Sequence, residues 1–251
     1  MALPTYESAR TEMSMFDALL KARKDHGGSK EILWDANDDR KLTYDEIVRG
    51  AFALGHALKK ITANGETVAI MLPTGAAAVI AFFALHAFGR VPAMLNFTAG
   101  ERALTAAIKL GQIKTVLTAK RFIEIGKLEE LVEEMKGHAN IVLLDELREK
   151  LTLGDKLTAL FGAKMPGLFK ARKKASDTGV ILFTSGTEGD PKGVVLSNKN
   201  ILANVEQVRC HIELFDTDIV FNPLPTFHCF GLTVGALLPM LVGVKEILYP
   251  S

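Results

Sequence analysis

Short apolar runs alternate with longer amphipathic segments along most of the chain. The runs at 66–72, 91–95 and 179–183 are rich in β-branched and aromatic residues, a composition that predicts buried strands. Residues 44–60 and 76–88 carry apolar positions at helical spacing, which predicts helices. Strands that alternate with helices in this way predict an α/β fold of doubly wound, mostly parallel sheets with helices on both faces.

The same patterns predict the remaining elements and several of their ends. Further strands are predicted at 31–35, 41–43, 114–118, 140–144, 193–196, 219–222 and 245–249. Further helices are predicted from Ser14 to about His26, over 102–110, over 128–136, from Asn198 to about His211, and after Gly231. The pairs Thr43–Glu46 and Thr98–Glu101 have the spacing of capping boxes, and Ser197 is a predicted N-cap.

A change in composition near residue 175 predicts two α/β lobes, one over 1–174 and the start of a second over 175–251. The end of the first lobe, residues 150–174, contains seven basic residues and one acidic residue, Asp155. Apolar residues recur within it at helical spacing, which predicts a basic amphipathic helix on an anionic membrane surface. The alternative is a helix packed on the core and followed by a solvated basic linker. Pro166 and Gly167 interrupt the apolar stripe and favour this alternative.

The segment after the strand predicted at 179–183 has the composition of an anion-binding loop. Residues 184–193 are Thr-Ser-Gly-Thr-Glu-Gly-Asp-Pro-Lys-Gly. Glycines let successive backbone N–H groups converge, hydroxyls add hydrogen bonds and Lys192 adds a positive charge. These groups predict a polyphosphate site; the alternative is a polar turn between two strands. The segment is not a P-loop, because Pro191 and Gly193 stand where that motif requires a glycine and a hydroxyl.

Residues 184–193 resemble the phosphate-loop signature of the AMP-forming acyl-activating enzymes, the adenylate-forming superfamily. Three other segments are similar to elements of that family and follow its order. They are Leu-Thr-Tyr-Asp-Glu-Ile at 42–47, Phe-Gly-Arg-Val-Pro-Ala at 88–93 and Pro-Leu-Pro-Thr-Phe-His-Cys-Phe-Gly at 223–231. The stretch 153–175 resembles an insertion in bacterial acyl-[acyl carrier protein] synthetases fused to a 2-acylglycerophosphoethanolamine acyltransferase.

The resemblance implies a ligase that forms acyl-AMP from ATP and a fatty acid. The acyl group would pass to the phosphopantetheine thiol of acyl carrier protein, or of coenzyme A, for phospholipid acylation. ATP and Mg²⁺ are the implied cofactors. The residues implied in phosphate binding are Thr184, Ser185, Gly186, Thr187, Glu188, Gly189 and Lys192. Glu188 is expected to point outward or to approach Mg²⁺. His228 is expected to line the substrate and pantetheine channel without acting as a base, with packing as the alternative.

Motifs that follow in this family, for adenine, ribose and a mobile C-terminal domain with a catalytic lysine, do not occur in the 251 residues. We therefore expect the chain to be the N-terminal portion of the ligase and to be inactive alone. The alternatives are a portion of a long-chain acyl-CoA synthetase, a non-catalytic nucleotide-binding module and a membrane-surface adaptor.

Composition narrows the remaining function classes. A net charge of +1 gives no reason to expect a nucleic-acid partner. Cys210 and Cys229 lie among apolar residues without metal-ligand spacing, which predicts free buried thiols in a reducing cytosol. The histidines lack zinc spacing, and His86 is predicted to be a hydrogen-bonded core residue. The chain lacks a secretion signal, so the expected location is cytoplasmic, and peripheral at the inner face of the cell membrane if the basic helix binds lipid.

Overall fold

The computed structural model describes residues 3–184 and 191–250. Strands and helices alternate along these ranges as predicted, and two further helices, at Lys120–Gly126 and Leu144–Glu149, were not predicted. The strands are β1 (Glu31–Asp35), β2 (Arg40–Thr43), β3 (Thr67–Ile70), β4 (Val91–Met94), β5 (Thr115–Thr118), β6 (Asn140–Leu143), β7 (Thr178–Thr184), β8 (Lys192–Ser197), β9 (Ile219–Asn222) and β10 (Lys245–Leu248). The α-helices are α1 (Met15–His26), α2 (Tyr44–Leu58), α3 (Ala76–Ala87), α4 (Glu101–Leu110), α5 (Lys120–Gly126), α6 (Glu129–Lys136), α7 (Leu144–Glu149), α8 (Leu153–Lys164), α9 (Pro166–Phe169), α10 (Asn198–Arg209) and α11 (Leu238–Val242).

The strands form two mostly parallel sheets flanked by helices, which confirms the predicted fold class. The larger sheet has the order β6-β5-β3-β4-β7-β8, and only β8 runs antiparallel to its neighbour. The smaller sheet has the order β2-β1-β10-β9, with β2 antiparallel. Strands from both sides of residue 175 therefore share each sheet. The boundary between lobes at that residue stays a prediction.

The apolar helix α3 lies in the main hydrophobic core. All but two of its residues are buried, and they pack with side chains of α1, α2 and the segment after Gly231. A second, smaller core lies where α4 and α6 cover the larger sheet, around Met71, Leu104 and Met135. Within the described ranges, no helix is both long and apolar enough to cross a membrane.

Side-chain caps set the starts of three predicted helices. The Thr43–Glu46 capping box is present at α2, Ser14 caps α1 and Ser197 caps α10. The second capping box was a wrong prediction. Gly100 takes the N-cap position of α4 with φ of 83°, and the hydroxyl of Thr98 donates instead to the Asn96 side chain at 2.7 Å.

Other expectations need correction in detail. The apolar helix after Gly231 begins as a π-helix, Gly231–Leu237, and continues as α11. The cysteines are free, as predicted, but Cys229 is exposed and Cys210 is partly exposed. Cys229 is exposed because it lies in the surface loop between β9 and the π-helix, and Cys210 ends α10.

Glu246 places a carboxyl group inside the smaller sheet. It lies on β10 between β1 and β9, opposite Leu33 and Val220, and is completely buried. Neither carboxyl oxygen has a hydrogen-bond partner in the described part of the chain. Burial raises the pKa of the Glu246 carboxyl well above its usual value. The folded protein therefore holds this group in its neutral form.

Replacing this carboxyl should remove a dependence of stability on pH. The folded state keeps a proton that the unfolded state releases above pH 4.5, so stability falls as pH rises from that value. Above pH 4.5, the free energy of unfolding of Glu246→Gln should exceed that of the wild type by roughly 1.4 kcal/mol for each pH unit. This increase should stop once the pH passes the pKa of Glu246 in the folded state. The difference should vanish below pH 4.5.

Urea unfolding of both proteins between about pH 4 and pH 8 measures this difference. Glu124→Gln serves as the control, because Glu124 is an exposed glutamate on α5. Equal stability of wild type and Glu246→Gln at every pH would contradict the prediction.

Candidate functional site

The ends of β7 and β8 hold Thr184 and Lys192, the two predicted phosphate ligands that the structure describes. Thr184 ends β7, Lys192 begins β8, and the two residues are direct partners in the antiparallel ladder. Directly opposed residues project from the same face of a sheet, and both of these are exposed. A hydroxyl and an ammonium group therefore stand together where the loop leaves and rejoins the sheet. The other predicted phosphate ligands lie outside the described residues: Ser185, Gly186, Thr187, Glu188 and Gly189.

The parallel register of β3, β4 and β7 determines which segments meet at this end of the sheet. Ala93 and Met94 of β4 pair with Ile181 and Leu182 of β7, and β4 pairs along its whole length with β3. The carboxyl ends of these strands therefore lie on one edge, which is where ligands bind in open α/β sheets. Thr74 follows β3 and Phe97 follows β4 at that edge.

The segment that carries His228 is tethered to the same edge. The hydroxyl of Thr74 donates to the backbone oxygen of Leu224 at 3.0 Å and accepts from the N–H of Thr226 at 3.1 Å. The buried ring of Phe227 packs edge-on against Phe97, with centroids 4.9 Å apart. These contacts place the loop 223–230 over the ends of β3 and β4.

His228 itself is exposed, and its ring lies 4.7 Å from the ring of Phe227. Its backbone N–H donates to the Pro225 oxygen at 3.1 Å, which closes a turn. The side chain is thus held by the ring of Phe227 and by the turn of its own backbone. This geometry is compatible with a channel position and leaves the packing to Phe227.

Two glycines hold the π-helix close to the preceding loop. A side chain at Gly231 would collide with the backbone oxygen of Pro225, and one at Gly235 would collide with the side chain of Asn222. Asn222 also donates to the Gly231 oxygen at 3.1 Å. The glycines therefore serve close packing here, and this packing fixes the position of the His228 loop.

Thr226 is a further candidate site residue, which the sequence motifs did not indicate. It is buried and lines a small apolar cavity together with Val79, Phe82, Met94 and Leu232. Its hydroxyl has no hydrogen-bond partner among residues 3–184 and 191–250. A buried hydroxyl without a partner in an apolar cavity is suited to accept or donate one hydrogen bond to a ligand. The sequence signal for this residue was a threonine that lies between Pro225 and Phe227 in a mostly apolar segment.

His86 belongs to the core, as predicted, but only one of its ring nitrogens is satisfied. The ring packs against Phe82 at 4.7 Å and hydrogen-bonds the backbone of Gly179. Its Nε2 has no partner in the described part of the chain. Burial lowers the pKa of His86 to about 3, so the ring is neutral at physiological pH and lacks the charge to bind phosphate.

The described residues contain no cluster of three or more histidine, cysteine, aspartate or glutamate side chains suited to a metal ion. Mg²⁺ commonly binds through substrate phosphates with only one or two protein carboxylates. The donor set at this edge, the hydroxyl of Thr184 and the ammonium group of Lys192, fits the phosphate oxygens of a nucleotide.

Comparison with known proteins links this architecture to one enzyme family. The sequence profile of the AMP-binding enzyme family matches residues 20–251. The acyl-CoA ligase sidI of Beauveria bassiana is 28% identical over 242 residues, covering 93% of this chain and 41% of the relative. The medium-chain fatty-acid–CoA ligase of Escherichia coli is 26% identical over 216 residues, covering 84% of this chain and 38% of the relative. The chain thus spans less than half the length of these curated relatives.

Solved structures share the fold. The anthranilate CoA ligase AuaEII, solved with anthranoyl-AMP, superposes with a TM-score of 0.76 at 20% identity, covering 99% of this chain and 45% of that chain. The o-succinylbenzoate CoA synthetase of Bacillus subtilis, solved with its acyl-adenylate, superposes with a TM-score of 0.74 at 20% identity. The match covers 95% of this chain and 56% of that chain. The two sheets and their helices match the N-terminal domain of adenylate-forming enzymes.

The Thr74 tether should control the mobility of the His228 loop. Thr74→Val removes the hydroxyl that bonds both Leu224 and Thr226 and leaves the buried N–H of Thr226 without a partner. The loss of a buried hydrogen bond costs about 1–3 kcal/mol, so the Thr226 amide should exchange with solvent at least about fivefold faster.

Amide hydrogen exchange followed by NMR measures this rate. Thr217→Val, at an exposed threonine elsewhere, should leave the rate at Thr226 unchanged. Unchanged protection of Thr226 in Thr74→Val would show that other contacts hold the loop.

Proposed function

The chain belongs to the AMP-binding enzyme family, and from this premise we propose that it is the N-terminal portion of a fatty acyl-activating ligase. The ligase forms acyl-AMP from ATP and a fatty acid and transfers the acyl group to a phosphopantetheine thiol. The observation that carries the proposal is the convergence of two segments at one sheet edge. The pair Thr184–Lys192 ends the phosphate loop there, and the Thr74 tether holds the His228 loop there.

ATP is proposed to bind with its phosphates at the β7–β8 loop. Lys192 supplies a positive charge to the phosphate oxygens, and Thr184 supplies a hydroxyl donor. Ser185, Gly186, Thr187 and Gly189 are proposed to add hydroxyl and backbone N–H donors, and Glu188 to face solvent or Mg²⁺. When bound, Mg²⁺ neutralises negative charge on the phosphates. The protein's part is to hold the α-phosphate in line with the attacking carboxylate and to stabilise the charge on the leaving pyrophosphate.

The acyl chain is proposed to enter between α3 and the π-helix. The small cavity lined by Val79, Phe82, Met94 and Leu232 is apolar and lies next to the His228 loop. Relatives named as medium-chain and long-chain fatty-acid–CoA ligases favour a fatty acid as substrate. The Thr226 hydroxyl, which has no partner in the described chain, is proposed to bond the carboxyl end of that substrate.

The thiol acceptor is proposed to be acyl carrier protein, with the product used for phospholipid acylation. The resemblance of residues 153–175 to the insertion of acyl-[acyl carrier protein] synthetases supports this choice. Coenzyme A is the second candidate, because the relatives named above are CoA ligases. The two candidates share the adenylation step and differ only in the acceptor.

Fatty-acid-dependent exchange of pyrophosphate into ATP tests the adenylation step in a protein of family length that carries this chain. Lys192→Ala removes a charge-assisted hydrogen bond, which contributes about 1.5–3 kcal/mol, so the exchange rate at limiting ATP should fall roughly 10- to 100-fold. Lys109→Ala, at an exposed lysine of α4, is the control and should leave exchange unchanged. Thioester formation with coenzyme A and with acyl carrier protein then identifies the acceptor.

Absence of exchange with every fatty acid, in a protein that binds ATP, would overturn the proposed activity. An unchanged exchange rate in Lys192→Ala would show that Lys192 does not bind phosphate, and it would not contradict the proposed activity.

His228→Ala should separate substrate positioning from nucleotide binding. If His228 lines the channel, the variant should bind ATP with wild-type affinity and lose roughly tenfold or more in fatty-acid-dependent exchange or in thioester formation. His138→Ala provides the comparison, because His138 is exposed and distant in sequence. Wild-type rates for both steps in His228→Ala would assign the residue to packing.

A further inference from the structure

Helix α8 faces the protein with its small residues and faces solvent with its large apolar ones. Its buried positions are Asp155, Gly162 and Ala163, spaced about two turns apart on one side. A globular helix normally buries its large apolar residues and exposes its polar ones. The orientation of α8 is therefore inverted, and the packing that the core-helix alternative requires is absent on the large-residue face.

A polar cluster around Asp155 holds α8 in this orientation. The Asp155 carboxylate, 1% exposed, lies 2.7 Å from Nδ1 of His56 and 2.8 Å from Nζ of Lys60, both from the α2 side. It also accepts hydrogen bonds from the N–H and hydroxyl of Thr152 in a capping box. Burial opposes its ionisation, but the hydrogen bonds from Lys60, Thr152 and His56 keep the pKa of Asp155 well below its usual value. A charged and fully bonded Asp155 cannot rotate outward without losing these partners.

Close packing at the other end of α8 prevents the opposite rotation. A side chain at Gly162 would lie 2.7 Å from ring atoms of Phe52, so only glycine allows this approach to α2. Arg23 of α1 donates to the backbone oxygen of Ala163 at 2.6 Å. The two ends together fix which face of α8 is turned to solvent.

The exposed face carries a continuous row of large apolar side chains, which we name the outer stripe. Each of its residues is between 44% and 74% exposed: Leu153, Leu157, Leu160, Phe161, Met165 and Leu168. The first four recur at intervals of four, three and one on α8, and the last two continue the row across the break at Pro166.

Basic residues border the outer stripe. Lys156 and Lys164 of α8 are exposed and form no ion pair within the described ranges, whereas Lys150, exposed just before the helix, pairs with Glu146 of α7 at 3.2 Å. Within 150–174 the single acidic residue is Asp155, which is buried and points to α2. Lys156 and Lys164 therefore give the surface beside the stripe its positive charge, because the Asp155 carboxylate is paired inside the protein with His56 and Lys60.

We propose that the outer stripe is a membrane-docking surface that inserts into the interface of an anionic lipid bilayer. Apolar side chains on a helix enter the boundary between headgroups and acyl chains. Lysines beside them contact lipid phosphates with their ammonium groups, while their methylene chains lie along the apolar side chains. Charge complementarity selects this occupant, because a positive rim suits an anionic lipid surface and repels a second copy of the same stripe. The Asp155 cluster positions the surface and does not contact lipid. The inference does not depend on the adenylation activity.

Vesicle sedimentation of the purified 251-residue chain tests the proposal. The chain should bind vesicles of phosphatidylglycerol and phosphatidylcholine more tightly than phosphatidylcholine vesicles, and about 1 M salt should weaken the binding. Leu157→Ser with Phe161→Ser should abolish binding. Lys156→Glu with Lys164→Glu should weaken it about 25-fold or more, because each lysine near an anionic surface contributes about fivefold.

Matched controls use apolar and basic residues exposed elsewhere. Ile125→Ser, 71% exposed on α5, and Lys109→Glu on α4 should leave binding unchanged. In a second measurement, Phe161→Trp should show a blue shift of its emission on adding anionic vesicles, and Ile125→Trp should show none. Thermal unfolding verifies that each variant is folded.

Two outcomes would overturn the proposal. One is the absence of binding to anionic vesicles by the folded wild type. The other is a dimer in sedimentation velocity that dissociates in Leu157→Ser with Phe161→Ser, because it would show that a second copy covers the stripe.

Discussion

The parallel register of β3, β4 and β7 is the constraint on which the candidate site depends. Because these strands run in one direction, the segments that leave their carboxyl ends meet on one edge. The antiparallel strand β8 then returns the phosphate loop to that edge, with Lys192 opposite Thr184. Thr74, at the end of β3, links the loop that carries His228 to the same place. Strand direction and the Thr74 tether thus place the ends of the proposed phosphate loop and the His228 loop on one edge of the sheet.

The smaller sheet contributes to this edge because the His228 loop begins at the end of its strand β9. β9 ends at Asn222, whose side chain bonds Gly231 and the N–H of Leu224, so the His228 loop starts and ends on one residue. β10 lies beside β9 and carries the neutral carboxyl of Glu246 in its interior. The stability of β10 and the position of the His228 loop are therefore connected through β9. The basic helix α8 lies apart from this edge and is fixed by Asp155 to α2.

The helices that begin at a capping residue could be predicted closely, because Ser14, Thr43 and Ser197 give local signals. The helices α5 and α7 were missed because neither has a side-chain cap and α7 follows β6 without a break. The site motifs could be read from the order of residues 184–193, but the Thr74 tether joins positions 150 residues apart and has no local signal. The orientation of α8 could not be predicted from its apolar periodicity, because Gly162 and Asp155 decide it through contacts with α2.

The central claim is that the loop between Thr184 and Lys192 binds the phosphates of ATP. Hydrogen exchange of the chain with and without a non-hydrolysable ATP analogue locates the bound triphosphate directly. We predict that the nucleotide analogue increases protection mainly in residues 183–194. In buffer that contains neither nucleotide nor inorganic phosphate, these residues should lack that added protection. Protection confined to another part of the surface, such as the cleft lined by Arg10, His26 and Arg209, would contradict it.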